Sequence, residues 1–420
     1  MTHAGRVTHE EEALAGRSVR RLAASLLLFT VLAPFAAAAD LVERARVLVG
    51  ADQGVYVETE AGTVLVAQEA ARAVHPASVS KIPTTLALLR ELGPEHRFET
   101  RFLAGGPVRA GAVAGPLVVE GSGDPFFVDE NLLLVALTLH EIGLRQVAGT
   151  LVVTGPLLFN WEATAVAQRL RRALEGGVPP AAWQAVREAT GSDLTAQPRL
   201  RFTAAAPASP APGRQLLVTH RSEPLVPLVK ALNGYSNNIF SRLAEATGGI
   251  EAVQANVRAT LPEAWRAELR LGDGAGAHRA NRMSPRAAVA MLRMLQRELA
   301  PYGYDLADVL PVAGIDDGTL RRRLDGPDER GVVVAKTGTY GSYGACALAG
   351  ALHTRRHGLV YFAVLNRGLP IEAARRKQDA FVRALLSELG GNPWPYRRND
   401  APAFTRAQVE VREGAHAARP

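Results

Sequence analysis

Two short apolar runs near the start of the chain predict a β-hairpin. GVYVET (54–59) and TVLVA (63–67) are rich in β-branched residues and are separated by three residues that end in glycine, a pattern typical of paired strands. The segment 78–92 then carries leucine and isoleucine at helical spacing and stops at Gly93-Pro94. This spacing predicts a helix with one face in the core, and a short strand is predicted after it at 98–103.

The middle of the chain alternates short strands with helices. We predict strands at 117–119 and 149–154 and helices at 130–142 and 181–188. A Pro- and Ala-rich stretch, 204–212, is typical of a loop or linker. Because the pattern changes again after this region, we interpret it as an inserted second domain.

The last part of the chain supplies longer helices and three strands. The predicted helices are 225–246, 286–299 and 371–389, and the predicted strands are 331–335, 344–351 and 359–365. Strands at both ends of the chain with helices between them predict one sheet built from both termini, in an α/β fold of the α+β kind. The tail 392–420 is polar and contains proline, which predicts a loose C-terminus.

The N-terminus carries a targeting pattern. Residues 22–39 are uncharged, follow three arginines and end with the small residues Ala37-Ala38-Ala39, which predicts a secretory signal peptide over residues 1–39. An uncleaved anchor helix is the alternative, but the run is short and contains Pro34. No later segment is apolar enough to cross a membrane. We therefore expect a protein without a stable membrane span, periplasmic or otherwise exported to the cell envelope.

Composition narrows the class of protein. The 420 residues are 47% hydrophobic and 21% charged with one cysteine, which excludes a collagenous, disordered or disulfide-stapled chain. The net charge of +7 is spread thinly, without basic blocks that interleave with aromatic residues, so a nucleic-acid partner is not expected. Cys346 lies in an apolar run and is interpreted as a small buried residue.

A serine and a lysine stand three residues apart where the first long helix is predicted to begin. In Ser78-Val79-Ser80-Lys81 this spacing places Ser78 and Lys81 on one helical face. A neutral lysine can take the proton of a serine hydroxyl, and burial or a second cation favours that neutral form. The Ser78 N–H near the helix N-terminus could also bind an oxyanion. Alone, the motif is far more often a capped helix with an exposed lysine.

Two further motifs complete a recognisable set. K-T-G-T (336–339) follows an apolar run, where a cation and a hydroxyl would face a cleft and Gly338 would let a substrate backbone lie against the strand edge. Ser236-Asn237-Asn238 offers a hydroxyl for proton transfer and an amide for a substrate carbonyl. Taken alone, K-T-G-T could simply be the end of a strand, and Ser236-Asn237-Asn238 could simply be an N-cap. In the order S-x-x-K, S-x-N, K-T-G, the three are typical of penicillin-binding proteins and β-lactamases.

With these motifs the chain resembles the D-alanyl-D-alanine carboxypeptidase/endopeptidase family of low-molecular-mass penicillin-binding proteins, which carry an inserted domain. The resemblance runs from about Ala45 to Gly390. It rests also on HPASVSK (75–81), GSGDP (121–125), YSNN (235–238), DGAG (273–276) with NRMSP (281–285), and LPVAG (310–314) with DGTL (317–320). Ala275 stands where the family has serine, and the interval from Ser78 to Ser236 is short, which implies a reduced insert.

The resemblance implies a β-lactamase/transpeptidase-like fold with an antiparallel sheet flanked by helices. An acyl-transferase domain would comprise 40–104 and 222–391, and the shortened insert would comprise 105–221. The implied activity is hydrolysis of the terminal D-Ala–D-Ala bond of peptidoglycan stem peptides, and of cross-links as well, with β-lactams as covalent inhibitors. No metal or cofactor is implied.

The resemblance also implies the roles of individual residues. Ser78 is the nucleophile and Lys81 its general base, and the N–H groups of Ser78 and Thr339 form the oxyanion hole. His75 is interpreted as structural because this scheme leaves it no task. Ser236, together with Lys336, returns a proton to the leaving amine, and Asn238 binds a substrate amide. The substrate and its carboxylate are bound by Lys336, Thr337, Gly338 and Thr339.

Two other functions stay open. The first is a β-lactamase or esterase of the same fold, because Tyr235-Ser236-Asn237 also fits a Y-x-N pattern; the insertion and the GSGDP and LPVAG segments argue against it. The second is a non-catalytic peptidoglycan-binding homologue. The intact set of motif residues argues against that reading.

Overall fold

The computed structural model describes residues 40–203, 214–235 and 238–412. The predicted signal peptide, the predicted linker 204–212 and Ser236 lie outside these residues. The strands, numbered in chain order, are β1 (Gly54–Thr59), β2 (Val64–Gln68), β3 (Glu99–Ala104), β4 (Val108–Arg109), β5 (Ala112–Val113), β6 (Leu117–Gly121), β7 (Gln146–Val147), β8 (Leu151–Thr154), β9 (Arg201–Phe202), β10 (Gln215–Arg221), β11 (Leu269–Arg270), β12 (Arg282–Met283), β13 (Val333–Tyr340), β14 (Ala345–Thr354), β15 (Gly358–Asn366) and β16 (Gln408–Val411).

A helical segment at 40–49 precedes the first strand. The α-helices are α1 (Lys81–Leu92), α2 (Asp129–Glu141), α3 (Val166–Arg172), α4 (Pro180–Thr190), α5 (Leu225–Gly234), α6 (Ile239–Glu245), α7 (Ile250–Arg258), α8 (Pro285–Leu299) and α9 (Ile371–Leu389). Within the described ranges, none of the helices combines the length and apolar character needed to cross a membrane.

The main sheet joins both ends of the chain. Its order is β13-β14-β15-β1-β2 with antiparallel pairing throughout, which confirms the predicted sheet built from both termini. Alternate residues of a strand face opposite sides, and here both sides are covered. Val360, Phe362 and Val364 of β15 pack with α9, while Tyr361 and Ala363 pack with α1 and α8. Burial on both faces explains why these strands read as continuous apolar runs.

A second sheet has the order β16-β10-β3-β6-β8 and its own core with α2 and α4. Residues 98–104 were expected in the acyl-transferase part, but β3 pairs with β10 and β6 in this second sheet. Phe98 packs in the core that the main sheet forms with α1 and α8, whereas Phe102 packs in the core of the second sheet. The chain therefore passes between the two cores just after Phe98, several residues earlier than expected.

The prediction of a loose tail is wrong for residues 392–412. Trp394 and Phe404 are buried, one in each core. β16 pairs with β10, so the tail closes the edge of the second sheet. These two aromatic rings hold the polar tail in place, because each buries a large apolar surface.

Two elements near the motifs differ from their predicted form. The helix predicted at 225–246 is broken: α5 ends at Gly234, Tyr235 is extended and α6 begins at Ile239. The strand predicted at 331–335 continues to Tyr340, because β13 pairs with β14 over its whole length. The K-T-G segment therefore lies within a strand rather than after one.

Candidate active site

The turn before α1 brings Ser78 against Lys81. Residues Ala77–Ser80 form a 3-10 turn that leads directly into α1. Lys81 Nζ lies 3.0 Å from Ser78 Oγ and 3.0 Å from the carbonyl oxygen of Ala275. The Lys81 side chain is only 1% exposed, so the reading of a capped helix with an exposed lysine does not hold.

Burial lowers the pKa of both lysines of the motifs. It lowers the pKa of Lys81 to about 8, against an opposing effect of the Asp273 carboxylate. Lys336 is also 1% exposed, and burial together with the charge of Lys81 lowers its pKa to about 7. Because the pKa of Lys81 lies at about 8, far below that of a lysine in water, a fraction of its amine is neutral near neutral pH and is available beside Ser78.

The free edge of β13 faces the Ser78 turn. β13 is the outermost strand of the main sheet, and the Ala335 N–H points outward to the Pro311 oxygen at 3.0 Å. Because backbone groups alternate with a period of two, the N–H groups of Thr337 and Thr339 point to the same edge. A Cβ on Gly338 would lie 3.1 Å from the Ser78 nitrogen, so the strand and the nucleophile are in direct contact.

Glycine is required at position 338 for a different reason from the one expected. A side chain there would meet the Pro76 oxygen at 2.5 Å. The space that the sequence analysis assigned to a substrate backbone is therefore occupied by the turn that carries Ser78. Gly276 closes on the same turn from another direction, where a Cβ would lie 1.9 Å from the Ala77 oxygen, and its φ of +90° also favours glycine.

The loop 272–277 holds the base in place. Asp273 Oδ1 accepts hydrogen bonds from the Gly276 N–H and from Asn281 Nδ2, both at 2.8 Å. These bonds fix the backbone that presents the Ala275 oxygen to Lys81. The contact uses a carbonyl group that serine would also supply, and the Ala275 side chain packs in the core. The geometry thus accommodates alanine at this position.

His75 orients the backbone of the turn. Its Nδ1 accepts from the Ala77 N–H at 3.2 Å, so Nε2 carries the proton and donates to the His278 oxygen at 3.1 Å. The ring stacks on Tyr340 with 4.8 Å between centroids. These contacts agree with the structural role expected for His75.

A row of polar side chains lies along β13. Thr337 Oγ1 donates to Thr319 Oγ1 at 2.7 Å, and Arg375 Nη2 donates to Thr339 Oγ1 at 3.4 Å. Lys336 Nζ donates to the Thr337 oxygen at 3.1 Å. Sequence reasoning did not single out Thr319 or Arg375. Thr319 stands in the quoted D-G-T-L segment, whereas Arg375 is set beside Thr339 only by the packing of α9, for which the sequence gives no signal.

The second motif borders a large cavity. Asn238 is exposed and precedes α6, and the ring of Phe240 in α6 lies 5.6 Å from Lys81 Nζ. Asn238 and Tyr235 line a largely apolar cavity of about 860 Å³ that also contacts Phe126 and Trp161 near the second sheet. Ser236 itself lies outside the described residues. The structure thus brings Ser78, Lys81 and the residues 336–339 together, with Asn238 on an adjoining element.

Known sequences match this chain over most of its length. A sequence profile of the D-Ala-D-Ala carboxypeptidase 3 (S13) family matches residues 36–159 and 202–388. The chain is similar to the D-alanyl-D-alanine carboxypeptidase of Actinomadura sp. (strain R39), with 27% identity over 456 residues that cover 83% of each chain. The matched ranges contain all the residues of the candidate site.

Solved structures share the fold. A predatory endopeptidase from Bdellovibrio bacteriovorus in complex with an immunity protein is 23% identical, with a TM-score of 0.71 over 85% of this chain and 99% of that chain. A penicillin G-acylated predatory endopeptidase from the same organism is 21% identical, with a TM-score of 0.67 over 86% of this chain and 99% of that chain. Penicillin-binding protein 4 of Haemophilus influenzae is 20% identical, with a TM-score of 0.58 over 84% of this chain and 98% of that chain. At these identities the likeness concerns the fold, and it confirms the expected fold class.

Proposed function

Because the chain belongs to the D-Ala-D-Ala carboxypeptidase 3 (S13) family of serine-type carboxypeptidases, we propose that it hydrolyses the terminal D-Ala–D-Ala bond of peptidoglycan stem peptides through a Ser78 acyl-enzyme. The observation that carries this proposal is the buried amine of Lys81, 3.0 Å from the Ser78 hydroxyl. A serine without such a base is a poor nucleophile at neutral pH.

In the proposed acylation step, Ser78 attacks the substrate with Lys81 as its base. Lys81 takes the hydroxyl proton while Ser78 Oγ forms a bond to the carbonyl carbon of the penultimate D-alanine. The N–H groups of Ser78 and Thr339 stabilise the oxyanion. When the C–N bond breaks, the leaving D-alanine amine takes a proton from the Ser236 hydroxyl. The Lys81 ammonium returns a proton to Ser236 and becomes neutral again, while Lys336 stabilises this transfer by its charge and Asn238 holds a substrate amide. The carboxylate of the leaving residue lies against Lys336, Thr337 and Thr339.

Deacylation uses the same base. A water molecule gives one proton to Lys81 while its oxygen bonds to the ester carbon, and the ester bond to Ser78 breaks. Ser78 regains its proton and the shortened stem peptide leaves with a new carboxylate. A β-lactam would follow the acylation step and remain attached, because its ring-opened leaving group stays tethered at the site.

The same site would serve cross-linked peptides. A cross-link whose acyl side is D-alanine presents the same carbonyl carbon to Ser78, so we include endopeptidase action in the proposal. Relatives of similar fold carry the name of predatory endopeptidases, which supports this extension. We place the remainder of a larger substrate in the apolar cavity that Asn238 and Tyr235 line.

The organisation of the chain completes the proposal. Residues 40–98 and 222–391 form the acyl-transferase unit, and the part from β3 to β10 forms the reduced insert. The segment 1–39 directs the protein to the periplasm or another part of the cell envelope, where its peptidoglycan substrate lies.

A matched pair of serine variants tests the proposed function. Ser78→Ala should abolish release of D-alanine from a stem pentapeptide and cleavage of cross-linked muropeptides. Ser80→Ala is the control, because the Ser80 hydroxyl is buried in the same turn and has no hydrogen-bond partner among the described residues. This variant should keep its activity. Wild-type activity in Ser78→Ala would overturn the assignment. Rapid turnover of penicillin by the wild type, in place of a long-lived adduct, would instead support the β-lactamase alternative.

A further inference from the structure

We propose that Arg375 binds the carboxylate of the leaving residue and makes the enzyme select substrates whose terminal carboxylate is free. This inference rests on the proposed function, because it names a further contact to the same substrate. It extends the site from β13 to the first turns of α9, which none of the three motifs contains.

The hydroxyls of β13 offer two hydrogen-bond donors to a carboxylate. Thr337 and Thr339 are two residues apart in a strand, so their side chains lie on one face, separated by about 7 Å. A carboxylate placed between them can accept a hydrogen bond from each hydroxyl with a different oxygen. Thr319 holds the Thr337 hydroxyl through a 2.7 Å hydrogen bond, and this bond reverses, with Thr319 as the donor, when Thr337 gives its proton to the carboxylate. Arg375 contacts the Thr339 end at 3.4 Å.

Arg375 is the permanent charge of this row. Lys336 is fully enclosed, and its Nζ is directed to the backbone oxygen of Thr337. Because burial and Lys81 together lower its pKa to about 7, it is only partly protonated near neutral pH. A guanidinium remains charged at any physiological pH. Arg375 therefore supplies the counter-charge that a carboxylate needs.

The present partner of Arg375 is weak enough to share. Its Nη1 lies 2.7 Å from Glu372, one turn away on α9, in a pair whose side chains are 38% and 70% exposed. Exposed pairs of this kind contribute little, since water competes for both groups. A bound carboxylate would contact Nη2 beside Thr339 and leave the Glu372 contact in place.

The inference predicts discrimination between two leaving groups. A charge-assisted hydrogen bond typically contributes one to two powers of ten in affinity. The wild type should therefore prefer a D-alanyl thioester whose leaving thiol carries a carboxylate over the same thioester with a carboxamide. The preference should be expressed mainly in KM, because the carboxylate is bound equally before and during bond breaking.

The experiment compares kcat/KM for this substrate pair in four proteins. Arg375→Gln should reduce the carboxylate-to-carboxamide ratio by about 10- to 100-fold, and Arg375→Lys should restore part of it. Arg376→Gln, an exposed neighbour on the same helix, is the control and should keep the wild-type ratio. Thermal melting of all four proteins should show equal stability, since both arginines are on the surface.

Two results would overturn the inference. An unchanged ratio in Arg375→Gln would show that the guanidinium does not contact the carboxylate. An equal loss with both thioesters would show that it acts on the fold or on the chemistry of Ser78. Failure of the proposed function looks different, because the wild type would then cleave neither thioester.

Discussion

Two buried amines within one site set the chemistry of Ser78. A lysine in water holds its proton far above neutral pH and cannot act as a base. Burial lowers the pKa of both Lys81 and Lys336, and the charge of Lys81 lowers the pKa of Lys336 further. The Ser78 hydroxyl lies 3.0 Å from the amine and can give up its proton to it. At the scale of single residues, the account therefore depends on one neutral amine.

The pH dependence of acylation reports that amine directly. The pKa of Lys81 is about 8, so its protonated, inactive form dominates below this pH and its neutral form above it. The second-order rate of labelling by a fluorescent penicillin should rise about tenfold per pH unit below pH 7 and level off above pH 9. Thermal melts over the same range control for unfolding. A flat profile from pH 6 to 10 would contradict a lysine base.

The residue types of the site could be predicted from the sequence, but not all of their neighbours. S-x-x-K and K-T-G appear in the chain as contiguous motifs, and their order indicated the chemistry. Thr319 and Arg375 reach β13 through packing between distant segments, and short motifs carry no information on such contacts. The role of Gly338 was also invisible, because the backbone that it admits comes from residues 76–78.

At the scale of elements, the turn that carries Ser78 packs directly against β13. The 3-10 turn 77–80 lies between Gly338 on β13 and Gly276 on the loop 272–277. Neither position has room for a methyl group, because the atoms in the way are backbone atoms that cannot rotate aside. The distance between the Ser78 nitrogen and the outward edge of β13 is thus fixed by two glycines, and the proposed oxyanion hole depends on it.

Alanine at either glycine should open this contact. We expect Gly338→Ala to lower the acylation rate at least 100-fold, because losing an oxyanion donor has about that effect, and Gly276→Ala to act similarly while also costing stability. Gly341→Ala is a suitable control, since its Cβ would meet no atom of the described part of the chain within 4 Å. The measurements are penicillin labelling and thermal melting. Normal labelling of Gly338→Ala would show that the turn does not need this spacing.

Periodicity predicted most elements and missed their interruptions. β1 and α9 have the predicted bounds, because an apolar pattern and clear end signals agree there. The break between α5 and α6 was missed, since residues 225–246 keep a helical pattern across it. The tail was missed for the opposite reason: its two buried aromatic rings are too far apart to form a periodic pattern.

For the whole molecule, the tail links the two cores at the point where the chain crosses between them. The crossing strands are joined by paired hydrogen bonds between Phe98 and Ser222. Arg97 donates to the oxygens of Ser222 and Arg406. Arg406 in turn contacts the carboxylate of Glu223 at 2.6 Å. The relative position of the insert and the acyl-transferase unit is thus secured by residues 392–412.

Removing Arg406 should loosen this junction in a pH-dependent way. Glu223 is buried, and burial raises the pKa of its carboxyl group. In Arg406→Ala the charged form loses its main partner, so we expect a loss of about 3 kcal/mol near pH 8. The loss should shrink as the pH falls and Glu223 takes up a proton, which removes the buried charge. Urea unfolding at pH 5 and pH 8, with exposed Arg397→Ala as control, would check this; an equal loss at both values would contradict it.

The central claim is that the hydroxyl of Ser78 becomes an ester, and mass spectrometry after incubation with benzylpenicillin tests it most directly. The account predicts that the protein gains the full mass of one penicillin molecule, because ring opening by acylation loses no atoms. Peptide mapping should locate the gain on Ser78, and Ser78→Ala should remain unmodified. An adduct on any other residue, or none at all on the folded wild type, would contradict the account.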